Sequence, residues 1–296
     1  MKASTFLNGN VVVTAADNIW TGYLSFSVEP DDQGRAVIRD QKCCGVLQIM
    51  KPFYDVPSKD LVLLTLNPMG GMAQGDRYSI DVRVRRGSAA VIMPASANKI
   101  YRAGKSGVRF VQRLEVEDEA VLEFVPDLTI PHAGARVRQR TDCHLAPMAT
   151  LWYGEILTPG RKASGEIFAY ACLDHGLTVR REGLLVAQER VCWEPATLYP
   201  HSKILLGKYD YLMNLFIFVP MTMDREPLIA SIAGLLDAKS YAGEDMLGGV
   251  SRLEGNGLVV KLLSSSSALA REMAAAIWAL YRFQIRGLSP LEVRKN

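Results

Sequence analysis

The sequence is poor in the residues that build tight metal sites and disulfide frameworks. Its 296 residues include five cysteines and four histidines. The cysteine count is odd and the spacings match no disulfide framework, which predicts reduced thiols and a cytoplasmic location. No His-x-x-x-His or Cys-x-x-Cys motif is present. The sequence therefore indicates no tight zinc or iron site.

Nucleotide-binding and catalytic motifs are also missing. No serine lies in a Gly-x-Ser-x-Gly turn, and no Gly-Lys-Ser/Thr loop precedes a helix. These absences argue against a nucleophile-elbow hydrolase and against a P-loop nucleotide site. Carboxylates are plentiful, but the sequence alone does not establish that any two of them converge as an acid and a base.

Long apolar runs and a strong excess of one charge are absent as well. No run reaches the roughly 18 apolar residues of a membrane span, and no leader-like segment opens the chain. The net charge of +3 is too small to indicate a nucleic-acid partner. Two basic runs, 83–86 and 136–140, alternate with apolar residues, which is typical of the solvated face of a strand. We expect neither a membrane nor a nucleic-acid partner.

What the chain does have is alternation. From about residue 10 to residue 200, short runs of alternating apolar and polar residues are broken by Gly, Pro, Asp and Asn. This pattern predicts a mainly β body of about a dozen strands, arranged as antiparallel ribbons or stacked turns. No fixed repeat length is visible, so a regular solenoid is not indicated. The clearest predicted strands are 108–116, 120–125, 148–156, 166–172, 177–181 and 184–193.

The last third of the chain changes to a helical pattern. Apolar residues recur at helical spacing over 224–239 and over 266–284. Pro227 suits the first turn of the first helix, and serines before the second helix offer N-caps, with Gly287 as its stop. A short strand is predicted over 257–263. We expect a single elongated domain over 1–296, with a β body at 1–222 and a helical part at 223–296 packed on it.

A glycine-rich segment, 67–77, lies between the apolar run 61–66 and the alternating run 78–84. Its glycines permit positive φ angles and close backbone approach, so the segment predicts a sharp turn between two strands. Asp76 suits either a turn-stabilising side chain or a local ion pair with Arg77.

Five blocks of residues share their order and spacing with one known family. They are Leu47-x-Ile49-Met50-Lys51-Pro52-Phe53-Tyr54, Asn67-Pro68-x-Gly70-Gly71-x-x-x-Gly75-Asp76-Arg77, Pro94 with Lys99-x-Tyr101-Arg102, Pro126-Asp127-Leu128-Thr129-Ile130-Pro131 with Gly134-Ala135-Arg136, and Trp152-x-x-Glu155-Ile156-x-x-x-Gly160-Arg161-x-Ala163-x-Gly165-Glu166. Each block is weak alone. Together, from about residue 47 to residue 166, they resemble the UreD family of urease accessory proteins.

The resemblance implies a non-enzymatic maturation factor with a scaffold of elongated stacked sheets. Such a protein assists nickel insertion into apo-urease and bridges it to a helical adaptor of the UreF type and a GTPase of the UreG type. The nucleotide site belongs to that partner, since no nucleotide motif is present here. No tightly bound cofactor is expected, and Ni²⁺ is expected at most transiently.

Within the matching blocks, the carboxylates selected as transient nickel contacts are Asp76, Asp127, Glu155 and Glu166. The residues selected as partner contacts are Lys99, Tyr101, Arg161, Trp278 and Tyr281. A plainer interpretation stays open for each set. Lys99 and Tyr101 suit packing at the edge of the core equally well, and an amphipathic C-terminal helix usually packs on its own core. If both roles hold, Trp278 or Tyr281 should remain outside.

Two other functions stay open at this stage. The first is a β-fold hydrolase or lyase that uses paired carboxylates, which would need two of them converging in one cleft with shifted pKa values. The second is a binding module for a polyanion or a carbohydrate, which would need an exposed basic or aromatic stripe. The four tryptophans show no such clustering along the sequence.

Overall fold

The computed structural model describes residues 20–291 and 293, except 57, 203 and 244, and these residues form eighteen strands and two α-helices. The strands are β1 Gly22–Pro30, β2 Ala36–Gly45, β3 Gln48–Ile49, β4 Phe53–Tyr54, β5 Leu61–Leu66, β6 Arg77–Val84, β7 Ala89–Pro94, β8 Asn98–Ile100, β9 Val108–Val116, β10 Val121–Phe124, β11 Leu128–Pro131, β12 Arg136–Leu145, β13 Thr150–Leu157, β14 Cys172–Arg181, β15 Leu184–Trp193, β16 Tyr211–Phe218, β17 Met246–Leu253 and β18 Gly257–Ser264. The helices are α1 Glu226–Tyr241 and α2 Ser267–Arg286. The parts of the predicted β body before residue 20 and of the predicted helical part after residue 293 lie outside the described residues.

The strands form two sheets. The first sheet has the order β15-β14-β12-β9-β6-β1-β2, and the second runs β17-β18-β16-β13-β10-β7-β5-β3, with β4, β8 and β11 attached to it. In the first sheet β1, β6, β9, β12 and β14 are parallel neighbours, and in the second β5, β7, β10 and β13 are parallel neighbours. The mainly β fold predicted from alternation is confirmed.

The chain passes back and forth between the sheets, so that each passage stacks on the one before, as in a solenoid. The coils of this stack have unequal lengths, since the strands of the second sheet begin at Leu61, Ala89, Val121 and Thr150. The unequal spacing explains why no repeat is visible in the sequence. Stacked turns, one of the two predicted arrangements, form the centre of the molecule.

Two apolar cores separate three layers. One core lies between the two sheets, and the other lies between the second sheet and the helices. β9 faces the first core on one side only, and its residues alternate between buried and more exposed from Val108 to Val116. β16 lies between both cores, and all eight of its residues are buried. Its continuous apolar composition follows from having both faces covered.

Both predicted helices are present close to their predicted limits. α1 carries Pro227 in its first turn. α2 begins after Ser266, whose side chain accepts hydrogen bonds from the amides of Ala268 and Leu269, and it ends at Gly287 in the left-handed conformation. The capping residues therefore predicted the limits of α2 correctly.

The predicted strand 166–172 is wrong. The chain turns there, and β14 starts only at Cys172. Phe168 has a φ of 50°, which is incompatible with an extended strand. Glu166 is held in the turn by Arg161 and by the amide of Ala133. The alternation in this stretch came from residues packed around a turn.

Candidate functional site

A line of polar side chains runs through the core between the two sheets. We call it the interior polar line, and its members are Gln112, Gln139, Thr141, Tyr153, Glu155, His175 and Asn214. Strand register builds it: Gln112 is paired with Thr141, Gln139 with His175, and Glu155 with Asn214 on neighbouring strands. Because side chains alternate along a strand, each of these residues reaches the interior from an inward position.

One half of the line is a closed hydrogen-bonded group. The Oε1 atom of Gln112 accepts from the hydroxyl of Thr141 at 2.8 Å and from that of Tyr153 at 3.2 Å. The hydroxyls of Thr141 and Tyr153 are 3.0 Å apart. Burial raises the pKa of Tyr153 well above its usual range, so its hydroxyl stays neutral.

The other half centres on Glu155. Its Oε2 lies 3.3 Å from Nδ1 of His175, and its Oε1 accepts from the side-chain amide of Asn214 at 3.1 Å. Burial alone would raise the pKa of Glu155, but the hydrogen bonds from His175 and Asn214 lower it overall. The residue is thus held as a carboxylate inside the protein.

Two polar atoms of this half have no protein partner among the described residues. They are Nε2 of His175, which is 3% exposed, and Oδ1 of Asn214, which is fully buried. Buried polar atoms are nearly always paired with protein or with water. An imidazole nitrogen and an amide oxygen next to the Glu155 carboxylate therefore have unused hydrogen-bonding capacity.

Two small cavities lie beside the interior polar line. One of about 30 Å³ is lined by Gln112, Gln139 and Glu155, among others, and a second of about 40 Å³ is lined by the glycine-rich turn at Gly70 and Gly71. Their linings share Pro94, Asn98 and Phe110. Each has room for about one or two water molecules. The two cavities are therefore neighbours, one beside Glu155 and the other beside the turn between β5 and β6.

The glycine-rich turn is built for close packing. A Cβ on Gly71 would lie 2.7 Å from Cζ of Tyr101 and 2.9 Å from the carbonyl oxygen of Lys99. Gly70 and Gly75 have φ angles of 72° and 84°. The predicted sharp connection between two strands is confirmed, and its glycines are required by Tyr101 and by left-handed backbone.

The four predicted carboxylates do not form one site. Asp76 closes the glycine-rich turn, since its Oδ2 accepts from the amide of Ala73 at 2.7 Å and from the hydroxyl of Tyr78 at 3.0 Å. Glu166 pairs with Arg161, which lowers its pKa to about 2. Of the four, the structure brings only Asp127 and Glu155 to one cavity.

That convergence does not make an enzyme-like cleft. Asp127 accepts from Arg271 at 2.6 Å, and the cavity that it shares with Glu155 has a volume of about 30 Å³. Glu155 has a lowered pKa, whereas a general acid at neutral pH needs a raised one. Within the described residues, no group of three or more His, Cys, Asp or Glu side chains is arranged to hold a metal ion.

The predicted partner contacts lie in three places. Lys99 is exposed on β8, and Tyr101 is half-buried against Gly71, with its ring 5.1 Å from that of His132. Arg161 is exposed at the surface, where it holds Glu166. The other two predicted contacts belong to α2.

The expectation that Trp278 or Tyr281 stays outside is wrong. Trp278 is 8% exposed and its indole N–H donates to Glu123 at 2.8 Å, while Tyr281 is fully buried 5.1 Å from the ring of Trp152. The apolar stripe of α2 faces its own core, as amphipathic helices usually do. The large apolar residue that α2 does expose is Phe283, at 70%.

Sequence reasoning missed most of the interior polar line. Its members are spread from Gln112 to Asn214 and share no spacing. A usable signal exists in single strands, because Gln112 is the polar residue among the inward positions of β9, and His175 lies between the inward Leu173 and Leu177 of β14. A polar residue at a core position of an alternating strand marks a satisfied network or a functional group.

Comparisons with known proteins agree on one family. The family model described as UreD urease accessory protein matches residues 21–295. A urease accessory protein UreD of Actinomyces naeslundii is 30% identical over 275 residues, which cover 93% of this chain and 98% of that protein. One of Natronomonas pharaonis is 31% identical over 234 residues, covering 78% and 77%. None of the helices formed by the described residues is long and apolar enough to span a membrane.

Proposed function

Because this chain belongs to the family of UreD urease accessory proteins, we propose that it is needed for the insertion of nickel into apo-urease. It acts there as a non-enzymatic scaffold and as a conduit for the ion. The observation that supports the conduit is the interior polar line, with its carboxylate, its spare imidazole nitrogen and the two cavities beside it.

The chemistry of the line suits transfer of Ni²⁺. This ion binds imidazole, carboxylate and water, and it stands high in the affinity order of divalent metals. A protein that hands the ion onward needs contacts strong enough for entry and weak enough for release. Glu155 supplies a carboxylate, His175 an imidazole nitrogen and Asn214 an amide oxygen. Neutral amides and hydroxyls continue the line beyond them.

As a scaffold, the protein uses different layers of its structure for different contacts. The side of the second sheet carries α1 and α2, and this side is the contact for a helical adaptor, which in turn holds the GTPase. Phe283 is the exposed apolar residue of α2 there. The buried Trp278 and Tyr281 act on that contact by fixing the helix.

The test of the function compares cells that express the urease subunits and the other accessory proteins, with and without this chain. Urease activity and nickel bound to purified urease are measured together. The proposal predicts that urease assembles but remains nickel-poor without the chain. Equal nickel content in both preparations would remove the proposal.

The conduit is tested by Glu155→Gln, which keeps the size and one acceptor of the side chain but removes its charge. We expect nickel loading to slow roughly ten-fold, the effect of losing about 1.4 kcal/mol of favourable interaction. Glu115→Gln is the matched control, because Glu115 lies on the outer face of β9, paired with Arg83 at the surface. Co-purification with apo-urease shows that both variants fold. If the folded Glu155→Gln variant loaded nickel at the normal rate, the conduit role would be refuted and the scaffold role would stand.

A further inference from the structure

The outer face of the first sheet carries a strip of arginines at one end of its strands. We call it the arginine strip, and its members are Arg77, Arg109, Arg138, Arg140 and Arg190. Register places Arg77 beside Arg109, and Arg109 beside Arg138, on β6, β9 and β12. The five side chains therefore share one continuous surface.

Among the described residues, one carboxylate forms ion pairs with the arginines of this strip. Asp174 lies on β14 beside Arg138 and is 2.8 Å from Arg140, 3.0 Å from Arg190 and 3.1 Å from Arg138. Burial alone would raise its pKa, but the hydrogen bonds from Arg140 and Arg190 lower it overall, so it stays ionised. Within the described residues, the guanidinium groups of Arg77 and Arg109 form no ion pair.

The other end of the same face is different. Arg83 on β6 pairs with Glu115 at 2.6 Å, and Arg113 on β9 pairs with Asp81 at 2.9 Å. Arg83 and Arg113 are thus each matched by a carboxylate from the neighbouring strand, as expected for a solvated strand face. Among the described residues of β6 and β9, the arginines without an ion pair therefore lie at one end of the two strands, and the arginines towards the other end are balanced.

The shape of the strip favours a protein partner. It crosses the sheet from β6 to β15, about 19 Å at the usual strand spacing, which is too broad for one phosphate group. It is narrow along the strands, because the row beyond Arg140 holds Asp81 and Asp142 on either side of Arg113. A nucleic acid continuing along the strands would meet these carboxylates, whereas a local carboxylate-rich patch on a protein would not.

We propose that the arginine strip is a docking surface for a carboxylate-rich face of a protein partner, and that this partner is apo-urease. The choice of partner rests on the proposed function. A bridge needs two separate faces, and both helices pack on the second sheet, on the opposite side of the molecule from the strip. Docking of this kind acts mainly on the rate of association, because unlike charges steer the encounter.

The experiment measures association and dissociation rate constants between the full chain, purified with its adaptor where needed, and nickel-free urease over a series of salt concentrations. The test variant is Arg77→Ala with Arg109→Ala. The matched control is Arg83→Ala with Arg113→Ala, which removes two charges from the same two strands and the same face. At low salt we expect the test variant to associate roughly ten-fold more slowly and the control to remain close to the wild type.

Each other outcome counts against the strip in a different way. Equal rates for the wild type and both variants would remove the strip and leave the proposed function standing. Equal slowing by both variants would show an effect of net charge alone. Failure of the wild type to bind apo-urease would remove both proposals. Competition by single-stranded oligothymidylate, lost in the test variant alone, would assign the strip to nucleic acid.

Discussion

Glu155 and His175 reach each other from opposite sheets, with 3.3 Å between Oε2 of the carboxylate and Nδ1 of the imidazole. The residues are 20 positions apart in the sequence. The contact of Nδ1 with a carboxylate leaves Nε2 without a partner among the described residues, and a histidine held in this way can offer its second nitrogen to an ion. The following predictions test this interior and the packing around it.

The first prediction concerns acid stability. The pKa of Glu155 is lowered in the folded protein, relative to an unfolded value of about 4.3. Its stabilising contribution is therefore present above the unfolded pKa and is lost as the pH falls through the folded pKa. Urea unfolding should show the wild type losing stability relative to Glu155→Gln below about pH 4.3. A stability difference that stays constant as the pH falls would contradict this assignment.

The second prediction concerns the glycine-rich turn. Gly71→Ala should lower the free energy of unfolding by about 1–3 kcal/mol, because the new methyl group collides with Tyr101 and with the backbone of Lys99. Gly234→Ala is the control, since that glycine lies in α1 with open space around it. It should stabilise the protein by about 0.5–1 kcal/mol. Thermal or urea unfolding of both variants gives the comparison, and an equal effect at the two sites would refute the packing argument.

The third prediction concerns the attachment of α2. Arg282 is fully buried and donates to Glu123 at 2.8 Å and to Asp55, and Arg286 pairs with Glu123 and Asp60. Arg282→Met leaves carboxylates buried with too few partners, so we expect a loss of about 3–5 kcal/mol in unfolding free energy.

The neighbouring residue provides the control for α2. Phe283 is 70% exposed, so Phe283→Ala should change the unfolding free energy by no more than about 0.5 kcal/mol. Denaturant unfolding without the adaptor measures the effect of Arg282 on stability apart from any effect on binding, because a bound partner would itself add to the stability. A small effect of Arg282→Met would show that the buried ions contribute little to holding the helix.

The fourth prediction concerns thiol reactivity. Cys43 and Cys192 are exposed, and Cys143 is fully buried. Burial also raises the pKa of Cys143, which keeps it as the unreactive thiol. A thiol-alkylating reagent at neutral pH should label Cys43 and Cys192 in the native protein, and Cys143 only after unfolding. Peptide mass spectrometry reads the result, and fast native labelling of Cys143 would show that the core opens readily.

Local patterns predicted the fold where a single element carried its own signal. β9 and β15 were predicted at the limits they have, 108–116 and 184–193. α2 was readable because its caps are local. The stretch 166–172 was mistaken because alternation also arises when residues such as Phe168 pack around a turn. Single-residue conformations of this kind depend on distant partners.

The site was predictable only in part. Glu155 was selected because it lies in a block that resembles a known family, whereas Asp76 and Glu166, selected in the same way, close turns at the surface. No pattern in the sequence pointed to His175 and Asn214, which contact Glu155 from β14 and β16. Register between β13 and β16 brought Asn214 beside Glu155, and the packing of the two sheets brought His175 there.

By itself, the sequence determined that this chain forms a β body with a capped C-terminal helix, because alternation, turn residues and caps act over a few neighbouring positions. Its ordered blocks also determined the family. Only the tertiary structure decided which polar residues meet in the core, which arginines lack carboxylates and which face of α2 is buried. These are relations between strands and helices separated by tens to hundreds of residues, and they depend on packing and register, which no local pattern specifies.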